Sequence, residues 1–233
     1  MKLQSNVKGK KISFSTTMPV LTPKSTFSMI EAFKAIRTNL IFALASQNSR
    51  IVLVTSALPG EGKTTASVNL AISMAQTGTK VLLIDADLRK PMVHKALNIK
   101  NDLGLSEVLG GFCKLLKALH HSVMENLDVL TSGAIPPNPA ELLSSGAMVT
   151  FLEYCKESYD YIFFDTPPVN VVADALALAP FVSGILLVVK EGKTVHPELK
   201  KAISSIEFSG TKILGVVLNA SQSISKNGHK YKY

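Results

Sequence analysis

Five short apolar runs most constrain this chain: 51–55 (IVLVT), 81–84 (VLLI), 161–164 (YIFF), 185–189 (ILLVV) and 213–218 (ILGVVL), with a weaker sixth at 127–130 (LDVL). Most are continuous rather than alternating. A strand with one wet face alternates apolar and polar residues, whereas a strand covered on both faces has no place for a polar side chain. The runs therefore predict a parallel sheet buried between two layers. Apolar residues at helical spacing fill the intervals, roughly 28–45, 63–77, 105–119, 140–157, 171–179 and 196–207. In the first of these the apolar positions are Ile30, Phe33, Ile36, Leu40, Ile41 and Leu44. Strand and helix alternate, so the expected class is α/β, a mostly parallel sheet with helices on both faces. No internal repeat is visible. With 233 residues, 46% of them hydrophobic, the chain can build the core of one ordinary domain.

The first run leads into Ala57-Leu58-Pro59-Gly60-Glu61-Gly62-Lys63-Thr64-Thr65. This is a phosphate-binding loop between a strand and a helix. Glycines let backbone N–H groups turn inward around phosphate oxygens, and the helix starting near Lys63 points its positive end at the same anion. Lys63 supplies a mobile charge for the β- and γ-phosphates, and the Thr64 hydroxyl is placed to ligate Mg²⁺. Pro59, Gly60, Glu61, Gly62, Lys63, Thr64 and Thr65 are thus the expected nucleotide-binding stretch, with ATP and Mg²⁺ as the groups bound.

Two acidic segments follow later runs: Asp85-Ala86-Asp87-Leu88-Arg89-Lys90-Pro91 and Asp165-Thr166-Pro167-Pro168. Ligands of open α/β sheets bind outside the carboxyl ends of the strands, so all three carboxylates fall at the edge that carries the loop. Asp165 takes the Walker B position, one metal shell from Thr64. Asp85 and Asp87 flank a single residue, and both can face the γ-phosphate. An acid there either holds Mg²⁺ or accepts the proton of a nucleophile. The competing role for each is capping the helix that follows. Expected metal ligands are Thr64, Asp85 and Asp165; expected catalytic residues are Lys63, Asp85 and Asp87. Arg89 either pins the second loop, contacts phosphate or makes a surface ion pair.

Charge argues about partners. The net charge is +8, but the first 24 residues carry five lysines and no acid and the last 13 carry three lysines and no acid, which leaves 25–220 formally neutral. Basic arms suit acidic partners or anionic membrane surfaces, and a neutral core speaks against nucleic acid. Two cysteines, Cys113 and Cys155, make no disulfide framework. His120-His121 is poorly spaced for joint metal ligation on a helix. No apolar run approaches the length of a membrane span and no signal peptide is visible, so a cytoplasmic location is expected. The expected division is a flexible arm over 1–26, a phosphate-loop domain over 27–220 and a flexible tail over 221–233.

Together the loop, the Asp-Ala-Asp-Leu-Arg-Lys-Pro segment and the Phe-Asp-Thr-Pro-Pro segment resemble the bacterial tyrosine kinases of capsule and exopolysaccharide synthesis. Gly133 to Leu142 (GAIPPNPAEL) and Arg37-Thr38-Asn39-Leu40 match as well. The resemblance implies ATP-dependent phosphorylation of tyrosine hydroxyls, autophosphorylation of C-terminal tyrosines in trans, and regulation of polysaccharide synthesis. It also implies activation by a separate membrane-embedded chain-length regulator at the inner face of the membrane, and assembly into a ring. The acceptors would be Tyr231 and Tyr233, which have no obvious core to pack in; from Asn219 the tail could stretch roughly 40–50 Å. Tyr154, Tyr159 and Tyr161 fall in or beside a helix and a strand and are expected to be structural. Ring assembly in the family uses a Glu-x-x-Arg-x-x-Arg motif, which here reads Glu31, Lys34 and Arg37, so the bidentate fork of the first Arg is absent.

The fold resembles that of MinD/ParA-type ATPases, whose signature lysine is replaced here by Leu58. Asn219 resembles the residue that reads adenine in those ATPases. Two other readings stay open: a MinD/ParA-like positioning ATPase, which would hydrolyse ATP without labelling tyrosine, and a non-enzymatic assembly module gated by nucleotide.

Overall fold

The computed structural model describes residues 18–47 and 49–220. Helix α1 (Phe27–Ala43) comes first, then β1 (Ile51–Ser56), α2 (Lys63–Ala75), β2 (Val81–Asp85), α3 (Val93–Leu97), α4 (Leu105–Leu109) and α5 (Leu115–Ala118). A hairpin follows, β3 (Leu119–Met124) and β4 (Leu127–Leu130), then α6 (Pro139–Leu143), α7 (Gly146–Ser158) and β5 (Tyr161–Asp165). The chain continues through α8 (Asp174–Ala177), a 3₁₀ turn (Ala179–Phe181), β6 (Gly184–Lys190), α9 (His196–Phe208) and β7 (Ile213–Asn219). The described strands form one sheet in the order β3-β4-β2-β5-β1-β6-β7, parallel except where β3 runs against β4.

Each central strand feeds two cores, which is why its sequence does not alternate. Ile51, Leu53, Leu82, Ile84, Ile162, Phe164, Ile185 and Leu187 face one side, against α4 to α9. Val52, Val54, Val81, Leu83, Tyr161, Phe163, Leu186 and Val188 face the other, against α1 to α3. Helix α7 buries Met148, Phe151, Leu152 and Cys155, a stripe at spacings of three and four that seals one face. Helix α2 lies between the sheet and α1 and is buried along almost its whole length. Its polar groups have partners: Asn69 accepts from the Leu21 N–H at 2.6 Å and donates to the Pro19 carbonyl at 2.8 Å.

That contact corrects the expected N-terminal boundary. Val20 and Leu21 are buried in the second core, so the packed unit reaches back into the stretch read as a flexible arm. Residues 1–17 and the expected tail, 221–233, lie outside the described residues.

Three helical expectations change. The pattern over 140–157 is two helices, because the Ser144 and Ser145 hydroxyls donate to the Ala140 and Leu142 carbonyls and end α6. The pattern over 105–119 breaks at Gly110-Gly111, where Gly111 has φ +75°, and its last residue already belongs to β3. The third, 171–179, shrinks to α8 and the start of the 3₁₀ turn.

Candidate active site

The loop between β1 and α2 sits at the carboxyl edge of the sheet. Gly60 and Gly62 hold φ of +74° and +96°, conformations that cost a residue with a Cβ. Gly62 is also crowded: a Cβ there would lie 2.0 Å from Asn219 Nδ2. Asn219, at the end of β7, donates from Nδ2 to the Glu61 carbonyl at 2.9 Å. The residue expected to read adenine thus spends one of its two amide N–H groups on the loop backbone. The Glu61 side chain turns inward and is fully buried. One oxygen accepts from the Leu58 N–H at 2.9 Å, and the other accepts from the Thr194 hydroxyl. Glu61 can therefore face a nucleotide only through its backbone. Lys193 donates to the Pro59 carbonyl at 2.5 Å. Neither Lys193 nor Thr194 was among the expected residues, because a Lys-Thr pair so far along the chain carries no local signal.

On the other flank of the loop lie β5 and β2, where Asp165 and Asp85 are register partners. Asp165 is fully buried and accepts from the Thr64 hydroxyl at 2.6 Å and the Ser67 hydroxyl at 3.0 Å. Ser67, one turn into α2, is a further residue that motif reading missed. Lys63 Nζ lies 2.8 Å from Asp87 Oδ2 and 3.7 Å from Asp165 Oδ2. The Asp85 carboxylate accepts backbone N–H groups from Met92 at 3.1 Å, Val93 at 2.9 Å and Asp87 at 3.3 Å. It thereby caps α3 from the active-site edge, so its capping role and its place in the site coexist. Asp87 Oδ1 accepts from the Lys90 N–H at 3.0 Å.

Packing Asp85, Asp165 and Lys63 together out of water perturbs their titration. Burial, and then the neighbouring Asp165 charge, pushes the Asp85 carboxyl up to about 8. Burial also raises Asp165, against the opposing pull of Lys63 and the Thr64 hydroxyl. Burial lowers the Lys63 ammonium, but Asp165, Asp87 and Asp85 outweigh it and hold the group above its usual range.

Among the described residues, no cluster of three or more His, Cys, Asp or Glu side chains forms a protein-only metal cage. Mg²⁺ is bound through one or two carboxylates plus phosphate oxygens and keeps several waters. The Thr64–Asp165 pair supplies hard oxygen donors next to Lys63, so the site fits a magnesium-bound polyphosphate. Arg89 donates from Nε and Nη2 to the two Asp174 oxygens at 2.7 and 3.0 Å, pinning the loop after β2 to α8 rather than reaching for phosphate.

A family model described as AAA domain matches residues 49–193. Tyrosine-protein kinase YwqD of Bacillus subtilis is 46% identical over 211 residues, covering 91% of this chain and 87% of that protein. The tyrosine-protein kinase etk of Escherichia coli is 38% identical over 204 residues, covering 88% of this chain but 28% of that longer protein. Its kinase domain matches with a TM-score of 0.80, covering 88% of this chain and 80% of that one. This chain is a member of the bacterial tyrosine-protein kinases. The fold is shared more widely: MinD of Pyrococcus horikoshii, solved with Mg-ADP, matches with a TM-score of 0.62 and 26% identity, covering 73% of this chain and 70% of that one.

The remaining expected positions of the kinase lie away from the loop. Glu31 and Lys34 pair at 2.8 Å on the outside of α1, both about half exposed. Arg37 turns inward and donates from Nη1 to the Ser73 carbonyl at 2.6 Å, tying α1 to α2. Tyr161 is buried and stacks on Phe163, the Tyr159 hydroxyl donates to Asp128 at 2.7 Å, and Tyr154 is about half exposed. Tyr231 and Tyr233 lie outside the described residues. No helix among the described residues is long and apolar enough to cross a membrane.

Proposed function

We propose that this kinase transfers the γ-phosphoryl group of ATP to tyrosine hydroxyls, with Tyr231 and Tyr233 of a neighbouring copy as its own acceptors. The observation that carries this reading is the contact of Lys63 with both Asp87 and Asp165 at the mouth of the loop. Bound polyphosphate draws Lys63 onto its oxygens, where the ammonium offsets charge developing in transfer. That move strips Asp87 of its partner. Both Asp85 oxygens are already taken by backbone N–H groups, so the acceptor freed beside the γ-phosphate is Asp87, and it takes the tyrosine proton. Thr64 and Asp165, with Asp85 behind them, would hold Mg²⁺, which would supply positive charge to offset the negative charge of the phosphates. The phosphate oxygens also receive backbone N–H groups from Gly60 to Thr65.

In this reading the kinase works in the cytoplasm, recruited to the inner face of the membrane by a separate membrane-embedded regulator of polysaccharide chain length. It assembles into a ring that lets one copy's tail reach the next copy's site, and its phosphorylation state regulates capsule or exopolysaccharide synthesis.

The test is mass spectrometry of the C-terminal peptide after incubation with Mg-ATP, with and without the regulator's cytoplasmic tail, and with Lys63→Met as control. Phosphate on Tyr231 or Tyr233 that disappears in the variant is expected. ATP hydrolysis with no phosphotyrosine under either condition would overturn the kinase reading in favour of a positioning ATPase.

A further inference from the structure

The loop's second flank carries a clamp that the transfer chemistry above does not use. Glu61 is an acid one residue before Gly62 and two before Lys63, yet it is fully buried. Among the described residues it forms no ion pair; its two oxygens rest on the Leu58 N–H and the Thr194 hydroxyl. Thr194 has no freedom in this arrangement. Its oxygen accepts the Lys190 N–H at 2.8 Å, which leaves its single proton for Glu61. Lys193, the neighbouring residue, fastens the Pro59 carbonyl, and its Nζ lies 2.8 Å from where a Gly60 Cβ would be. A buried carboxylate held only by neutral donors is tolerable while both oxygens are satisfied, and costly once one is not.

We infer that Thr194 and Lys193 are positioning residues for the nucleotide: they hold the Glu61 charge inward, away from the polyphosphate, and fix the loop's open side in its binding shape. The inference rests on the reading that the loop takes Mg-ATP. When the Thr194 hydroxyl is removed, Glu61 loses a donor. Its cheapest relief is to swing toward solvent at the loop mouth, where its negative charge opposes the phosphates. Such a clamp acts on nucleotide affinity and leaves the transferring residues Lys63, Asp87 and Asp165 in place.

The experiment is equilibrium Mg-ATP binding by calorimetry on the full chain, paired with KM for ATP and kcat for tyrosine transfer. Thr194→Val is expected to weaken Mg-ATP about tenfold or more, the size of one lost hydrogen bond to a buried charged group. KM should rise in step while kcat at saturating ATP stays within about twofold. Thr194→Ser, which keeps the hydroxyl, should bind like the parent chain. The decisive arm is Glu61→Gln combined with Thr194→Val: with the charge removed, most of the lost affinity should return. A merely structural Thr194 would show no such recovery. If the parent chain binds Mg-ATP and Thr194→Val binds equally well, or the double variant is no better than Thr194→Val, the inference falls. If the parent chain does not bind Mg-ATP, the nucleotide reading falls instead. Should Thr194→Val fail to fold, Lys193→Met, at an exposed position, carries the test: affinity about threefold weaker is expected, and unchanged affinity overturns the clamp.

Discussion

Asp85 ends β2 inside the protein, and its titration has a consequence for folding. In the unfolded chain an aspartate titrates near about 3.9. In the folded chain, burial and then the Asp165 charge move this one up to about 8. Between those values the folded state holds a proton that the unfolded state has released, so stability falls as pH rises through that window. The contribution is fully present below about pH 4 and lost above about pH 8. Melting of the nucleotide-free protein should therefore shift down across this range, and Asp85→Asn should flatten the slope; an unchanged slope in the variant would refute the assignment. Asp87 gives a different signature. Asp87→Asn keeps the oxygen that accepts the Lys90 N–H but removes the charge that holds Lys63. Transfer should drop by about 10²- to 10⁴-fold, the range of a lost general base. Mg-ATP affinity should hold or improve, because Lys63 no longer has to leave a carboxylate. An equal loss of both would count against Asp87 as the base.

At the scale of elements, the sheet edge works because short segments are tied to it from outside. The loop after β2 is fastened to α8 by the paired contacts of Arg89 with Asp174, a carboxylate 1% exposed facing a guanidinium that is 44% exposed. Removing the guanidinium leaves a buried charge without its partner. Discounted for the solvent around Arg89, Arg89→Leu should cost about 1–3 kcal/mol, read as a lower denaturant midpoint with unchanged slope. Asp174→Asn combined with Arg89→Leu should recover part of that loss. These ties mark the limit of what the chain discloses in advance. Strands β1, β2, β5 and β6 were legible because residues that must satisfy two cores leave no polar gaps; β7 shows an equally apolar run but is an edge strand, with Val216 and Leu218 about half exposed. Lys63, Thr64 and Asp165 were legible because phosphate chemistry demands them at fixed spacing after a strand. Strand β3 was not: His120, His121 and Ser122 hide its alternation, and Ser122 at φ +50° breaks the pairing with β4. Helix α3, five residues long, owes its start to the Asp85 carboxylate, a partner that no local pattern announces. Thr194 meets Glu61 only because β6 lies beside β1, a fact of topology rather than of motif.

For the whole molecule, the order of strands decides how the two flanks of the phosphate loop divide their work. The metal and acid side belongs to β5 and β2, and the clamp side to β6 and β7. Helix α1 lies outside this division, packed on α2, and here the proposed role of Arg37 in assembly and its role in the fold compete for one side chain. Arg37 donates to the carbonyl of Ser73 in α2, so at least part of its guanidinium is spent within a single copy. Lys34 and Glu31 face solvent and cost the monomer little, since exposed pairs contribute between about 0 and 1 kcal/mol. Arg37→Ala should therefore destabilise the dilute monomer by about 1–2 kcal/mol in denaturant unfolding. Lys34→Ala should stay within about 0.5 kcal/mol of the parent. Assembly is then best probed at Glu31 and Lys34: Glu31→Lys should reduce oligomer size in light scattering while the monomer's unfolding midpoint holds. An Arg37→Ala monomer as stable as the parent, with oligomers lost, would place that guanidinium between copies instead. The fold of one copy would then be independent of the residue that joins it to the next.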